Sequence, residues 1–83
     1  MKRILYFSAG WCGPCKTLAP KIQKLMNEGL NIQKIDVDSN PSLVAEYGVR
    51  NIPTLVFEKN GQQVTKQVGV ITESQIRETW NQL

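Results

Sequence analysis

The apolar residues come first as an uninterrupted run, Ile4-Leu5-Tyr6-Phe7, that stops at Ser8 and is broken by Ala9-Gly10. Alternation is weak over Lys2–Ser8, but the short β-prone run predicts a strand. The spacing changes from about Pro14, where Leu18, Ile22, Leu25 and Met26 recur at helical intervals and give one apolar face that reads as core. Pro20 falls inside this helix, where its missing N–H and the crowding of the previous turn predict a kink. Gly29 is placed to end the helix in a left-handed cap.

Asn31–Val37 predicts a second strand, with Ile32, Ile35 and Val37 apolar. Ser39-Asn40-Pro41 predicts an N-cap with proline at the first helical position, opening a short helix over Ser42–Tyr47 that stops at Gly48. Thr54–Glu58 and Gln63–Val68 predict two strands joined by a hairpin at Asn60-Gly61. Gly69 breaks the last strand. Thr72 with Gln75 predicts a capping box for a final helix whose buried stripe is Ile76, Trp80 and Leu83. The order β-α-β-α-β-β-α makes the first two strands parallel, through their helical crossover, and the last two antiparallel. A mixed four-stranded sheet with helices on its faces is expected, an α/β fold.

At 83 residues the chain is expected to form one domain, 1–83, near the lower size at which a single apolar core suffices. The hydrophobic fraction of 41% and charged fraction of 20% are those of a soluble globular protein. No stretch approaches the roughly 20 apolar residues of a membrane span, and the run ending at Ser8 is too short for a signal-peptide core of about 7–15 residues. No membrane partner is expected, and the cytoplasm is the expected location. The net charge of +3 is spread from Lys2 to Arg77 without a block of like charge, so the basic residues read as a solvated surface and not as a nucleic-acid site.

The candidate chemistry lies in Trp11-Cys12-Gly13-Pro14-Cys15, which holds both cysteines of the chain. A disulfide closing so short a loop removes little chain entropy and is a poor staple. The pair therefore reads as redox-active or metal-binding. Without histidine or a third cysteine, one chain cannot supply a four-ligand thiolate or imidazole zinc site, although two chains could share one. Two thiols at the start of a helix can close and reopen a disulfide with no cofactor.

Taken in order, these features resemble those of a short thioredoxin. The likeness rests on WCGPC at 11–15, Pro20, Asp38-Ser39-Asn40-Pro41, Tyr47-Gly48-Val49-Arg50 leading into Ile52-Pro53-Thr54, the Asn60-Gly61 hairpin and Val68-Gly69. It spans nearly the whole chain. There are two departures. The chain has no room for the strand and helix that begin full-length thioredoxins, so one sheet edge and part of one face should be less covered. The family's buried aspartate, six residues before the first active-site cysteine, is replaced by Tyr6, while the family's nearby lysine is retained as Lys34.

The resemblance implies a protein-disulfide reductase. A cysteine at a helix N-terminus ionises at roughly 3.5–7.5 instead of near 8.5, so Cys12, just before the helix, is expected to be the exposed nucleophile. Cys15, inside the first turn, is expected to be more buried and to resolve the mixed disulfide. Gly13-Pro14 restrains the ring and points to a reductant. Tyr6, whose phenol stays protonated near neutral pH, can only offer a hydrogen bond, and Lys34 is expected either to favour a thiolate or to reach into solvent. The resemblance further implies a cis Ile52–Pro53 bond opposite the cysteines. It also implies an apolar docking surface of Trp11, Gly13, Pro14, Val37, Ile52, Pro53, Val68 and Gly69. Disulfide-containing proteins are the expected substrates, a thioredoxin reductase the electron donor, and a monomer the expected state. The alternatives are a glutathione-dependent, glutaredoxin-like reductase, against which Gly13-Pro14 and the single Gly69 speak, and a binding subunit that uses the fold as a scaffold.

Overall fold

The computed structural model describes residues 1–83. Its elements are β1 (Lys2–Ser8), α1 (Gly13–Asn27), β2 (Ile32–Asp36), α2 (Pro41–Glu46), β3 (Thr54–Lys59), β4 (Gln62–Val68) and α3 (Glu73–Asn81). They form a four-stranded sheet in the order β2-β1-β3-β4. β1 runs parallel to β2 and antiparallel to β3, and β3 is antiparallel to β4. β1 and β3 are therefore the inner strands, and β2 is an edge with β1 as its only neighbour.

Inner position explains the apolar run at the start of the chain. Ile4 and Tyr6 enter a core layer with Leu18, Ile22 and Leu25 of α1, Leu55 and Phe57 of β3, and Ile76 of α3. Leu5 and Phe7 point the other way, onto Ile35 and Val56, with Leu43, Val44 and Tyr47 of the α2 segment packed over them. A strand buried on both faces loses the polar positions that give half-buried strands their alternation. Met26, Trp80 and Leu83 are only partly buried and pack against the rim of the first layer.

The helix ends follow the local sequence. At the end of α1, Leu30 N–H donates to Leu25 O at 3.1 Å and Gly29 N–H to Met26 O at 3.0 Å. Gly29 sits at φ 103°, and Leu25 and Leu30 join the same core layer, completing a Schellman cap. The same bonds recur at α2, from Val49 N–H to Val44 O and from Gly48 N–H to Ala45 O, around Gly48 at φ 62°. Thr72 and Gln75 form the reciprocal capping box of α3. Asn60 and Gly61 both have positive φ, as a type I′ hairpin requires. The start of α2 departs from expectation. Asn40 occupies the N-cap position but makes no capping bond. Its amide donates to Asp36 O at 3.0 Å instead, which ties the helix entry back to the end of β2.

One charged group lies inside. Glu58 is 2% exposed on the α2 side of the sheet. It accepts from Arg3 Nε at 2.6 Å and from the Tyr47 hydroxyl at 2.5 Å. Burial alone pushes its carboxyl upward, but the hydrogen bonds from Tyr47 and Arg3 outweigh this and hold it below the usual glutamate range. A depressed folded-state pKa contributes stability that is present above the unfolded value, about 4.3, and is lost as pH falls through the folded value. Glu58→Gln is accordingly expected to cost about 1–2 kcal/mol at neutral pH. In urea titrations from pH 7 to pH 3 the gap between variant and parent should close only below about pH 4. A gap independent of pH would show that the ionised carboxylate is not what stabilises.

Candidate active site

The site is assembled where β1 ends. After Ser8 the chain turns at Ala9-Gly10, with Cys12 N–H donating to Ala9 O at 3.2 Å, and enters α1. Cys12 is the N-cap of that helix, extended at φ −86° and ψ 112°, and its Sγ accepts from the backbone N–H of Cys15 at 3.2 Å. A sulfur thus takes the place usually held by a serine or aspartate oxygen, and one of the unpaired N–H groups of the first turn points at it. Pro14, inside that turn, needs no hydrogen-bond partner for its nitrogen. Cys12 and Cys15 are joined in a disulfide, with their Cα atoms 5.2 Å apart.

The expected contrast in exposure is absent in this oxidised state. Cys12 and Cys15 are each 4% exposed. In the closed ring Ala9, Val37 and Ile52 pack against the pair. Cys12 Sγ lies 3.9 Å from Ile52 O. The disulfide sulfur has no proton to donate, so this is a packing contact.

Ile52–Pro53 is a cis peptide. Pro53 O accepts from Gly69 N–H at 2.8 Å, which draws the end of β4 beside the cysteine loop. Cys12, Ile52, Pro53 and Gly69 are therefore neighbours through the chain of contacts Cys12–Ile52 and Pro53–Gly69. The side chains are less uniform than a flat apolar patch. Trp11 is 69% and Val68 is 55% exposed, Gly13 and Pro14 are exposed, and Val37 and Ile52 are half-buried. Pro53 is fully buried, its nitrogen carries no proton and its carbonyl is taken up by Gly69 N–H, so it shapes this face from beneath.

Trp11 is held from its polar end, its indole Nε1 donating to Asp38 Oδ2 at 2.8 Å. Beside it lies an apolar groove of about 140 Å³ lined by Trp11, Val37, Val44, Val49, Arg50 and Ile52. Asp38, Val44, Val49 and Arg50 were not among the site residues expected from the sequence. An exposed tryptophan has an N–H that seeks an acceptor, and the pattern does not say which carboxylate is near.

Tyr6 and Lys34 occupy adjacent strands in register. Tyr6 is 3% exposed, and its hydroxyl donates to Cys15 O at 3.2 Å. Burial pushes its phenol above the ordinary tyrosine range, partly offset by a hydrogen bond with Ser8. Lys34 is exposed, with Gln23 Oε1 3.4 Å from its Nζ. Both residues line a cleft of about 370 Å³ that also reaches Ser8, Cys15 and Lys16.

This arrangement can be set beside known proteins. The family model for thioredoxin matches residues 1–82. The chain belongs to the thioredoxin family. It is 45% identical over 82 residues to thioredoxin from Haemophilus influenzae, covering 95% of this chain and 77% of that one. It is 38% identical over 78 residues to thioredoxin from Porphyra purpurea, covering 90% and 73%. The structure of Fasciola hepatica thioredoxin superposes with a TM-score of 0.89 at 38% identity, covering 98% of this chain and 79% of that one. The four-stranded thioredoxin-like fold and the redox-active cysteine pair make this chain a thiol–disulfide oxidoreductase of the protein-disulfide class.

The Tyr6 hydroxyl is the one side-chain hydrogen bond joining β1 to the redox turn of α1. Tyr6→Phe removes it while keeping the ring in the core. A loss of about 0.5–1.5 kcal/mol is expected, read as a lower urea midpoint at unchanged m-value. A midpoint equal to the parent's would mean the bond adds nothing beyond the packing of the ring.

Proposed function

We propose that Cys12 is the attacking thiolate and Cys15 the resolving thiol of a protein-disulfide reductase. The observation that carries this reading is the Cys15 N–H aimed at Cys12 Sγ at 3.2 Å from the first turn of α1. A donor there, together with the positive end of the helix dipole, favours negative charge on Cys12 over Cys15. Cys12 attacks a substrate disulfide and is joined to one of its sulfurs, while the other leaves as a thiolate. Cys15 then attacks Cys12, closing the ring and releasing the reduced substrate. Trp11, Gly13 and Pro14 shape the ring's surroundings, and Tyr6 and Lys34 tune the resolving side.

Substrate docking uses Trp11, the backbone of Ile52 ahead of the cis Pro53, Val68 and Gly69. An extended segment lying along this face can set an aliphatic side chain in the Trp11 groove, with Arg50 at its edge. Such a surface reads chain segments and does not enclose a small molecule. The partners are disulfide-containing proteins and a flavin- and NADPH-dependent thioredoxin reductase that returns the dithiol. No helix is long and apolar enough to cross a membrane. The reading is of one domain, residues 1–83, acting as a cytoplasmic monomer.

Insulin reduction tests the reading. Precipitation of the released B chain is expected with thioredoxin reductase and NADPH, and not with glutathione and glutathione reductase. Activity confined to the glutathione couple would reassign the donor. The roles of the thiols are separable. Cys15→Ser should accumulate a covalent adduct with a disulfide substrate, seen as a mass increase lost on reduction, whereas Cys12→Ser should form none. An adduct on Cys12→Ser would reverse the two roles.

A further inference from the structure

Resolution of the mixed disulfide requires that Cys15 lose its proton, and no side chain in the cleft lined by Cys15 is a carboxylate or histidine able to take it. The cleft beside Cys15 is bordered by Tyr6 and Ser8 from β1, Lys16 from α1 and Lys34 from β2, and no lining residue is acidic or histidine. Tyr6 is committed as a donor to Cys15 O, and its phenol is neutral near pH 7. Ser8 is a hydroxyl. Lys16 and Lys34 are exposed cations, and neither belongs to any of the chain's ion pairs. The cleft therefore combines two uncompensated positive charges, two hydroxyl groups and an open volume of about 370 Å³, with Cys15, the residue that must be deprotonated, in its lining.

We infer that this cleft binds a phosphate-class dianion between Lys16 and Lys34, and that the bound anion takes the proton from Cys15. The inference rests on the reading of Cys15 as the resolving thiol. Phosphate suits the cleft better than a carboxylate for a reason of charge. A carboxylate that accepts a proton becomes neutral and loses its hold on the lysines, so the lysines oppose the transfer. A phosphate dianion that accepts a proton is still a monoanion and stays paired in both states. Its second ionisation also lies near neutrality, about 6 in a phosphate monoester, so the dianion is present at working pH and is an effective base.

The step balances without a further reactant. The Cys15 thiol proton passes to the dianion, which becomes a monoanion. Cys15 Sγ forms a bond to Cys12 Sγ, and the bond from Cys12 to the substrate sulfur breaks, the electron pair leaving on the substrate thiolate. The two electrons gained by the substrate are those lost by the dithiol. The monoanion then exchanges its proton with solvent through the open cleft.

The test uses the reduced protein mixed with dithiodipyridine, an uncharged disulfide that releases one coloured thiopyridone when Cys12 attacks and a second when Cys15 resolves. Inorganic phosphate is varied at fixed pH and ionic strength, with chloride making up the difference. The second phase is expected to accelerate by roughly ten-fold or more and to saturate. Lys34→Gln should raise the half-saturating phosphate concentration of the second phase roughly five-fold. Glycerol phosphate in a parallel series separates two sources of the same chemistry. Saturation by both supports a site for phosphoryl groups in general, and saturation by inorganic phosphate alone supports a site for the free ion. A second phase that ignores phosphate overturns the inference and leaves Cys15 as the resolving thiol. A linear dependence identical in Lys34→Gln also overturns it, because the buffer then acts from bulk solution. Absence of any second phase overturns both the inference and the resolving role on which it rests.

Discussion

The burial of β1 on both faces is the constraint on which the remaining structure depends. Four consecutive side chains, Ile4 to Phe7, enter two different core layers, and each is at most 3% exposed. Burying a side chain of this kind contributes about 1.5–3 kcal/mol, against a net stability of only about 5–15 kcal/mol for a whole domain. A slip of one residue would exchange the two faces and set the Tyr6 hydroxyl among Leu5's neighbours, without its partner at Cys15. The register of β1 is thus strongly fixed, and the cysteine loop and helix beyond it inherit that precision. Four residues past the end of β1 stands Cys12, at the mouth of a helix whose Leu18, Ile22 and Leu25 pack on the same strand's Ile4 and Tyr6. The position of the reactive sulfur is set by the core beneath it.

The same strand couples the two halves of the site. β3 pairs with β1 in antiparallel register, Phe7 opposite Thr54, so the residue before β3, Pro53, lies level with the start of the cysteine loop. β4 then returns along β3 to place Val68 opposite Thr54, and Gly69 N–H closes onto Pro53 O. Three chain segments far apart in sequence meet at one end of the sheet because the strands that carry them share one register. At the opposite end of the chain's course, Lys2 Nζ donates to Trp80 O at 2.9 Å and lies 4.6 Å from the Trp80 ring. The contact holds the last helix against the first strand.

Local chemistry was readable in the sequence wherever a single residue decides the backbone. Gly29 and Gly48 closed their helices, Thr72 with Gln75 opened the last one, and Asn60-Gly61 turned the hairpin, each because few residues accept the required dihedrals or supply the required cap. The antiparallel pairing of β1 with β3, and hence the strand order, was not readable. It joins segments about 50 residues apart, and no local signal records it. The cysteine pair and its place at the mouth of a helix were legible in the motif, but the equal burial of the two in the ring was not, because the atoms covering Cys12 come from Val37 and Ile52. Asn40 looked like a helix cap and instead bonds Asp36 O, an example of a side chain choosing among several backbone acceptors within reach. Asp38 could be quoted as part of a motif, yet its bond to Trp11 is visible only once β2 brings it alongside the cysteine loop.

Tyr6 shows how the demands of the core and of the chemistry meet at one position. It lies in the largest core layer, among Leu18, Ile22 and Leu55, where an ionised carboxylate without a partner would be costly to hold. A carboxyl there would resist ionisation, and that resistance is what makes a buried acid able to take up a proton near neutral pH. A phenol fills the layer and satisfies its one donor on Cys15 O, and it gives up that basicity. The consequence reaches the neighbouring strand. Lys34, in register with Tyr6, has no carboxylate at its side, and its charge, like that of Lys16, faces an open cleft. A phenol at this position thus offers no internal base and also leaves positive charge unanswered beside the same cleft. The two effects act in one direction, because the field that favours a Cys15 thiolate is the field that attracts an anion able to accept its proton.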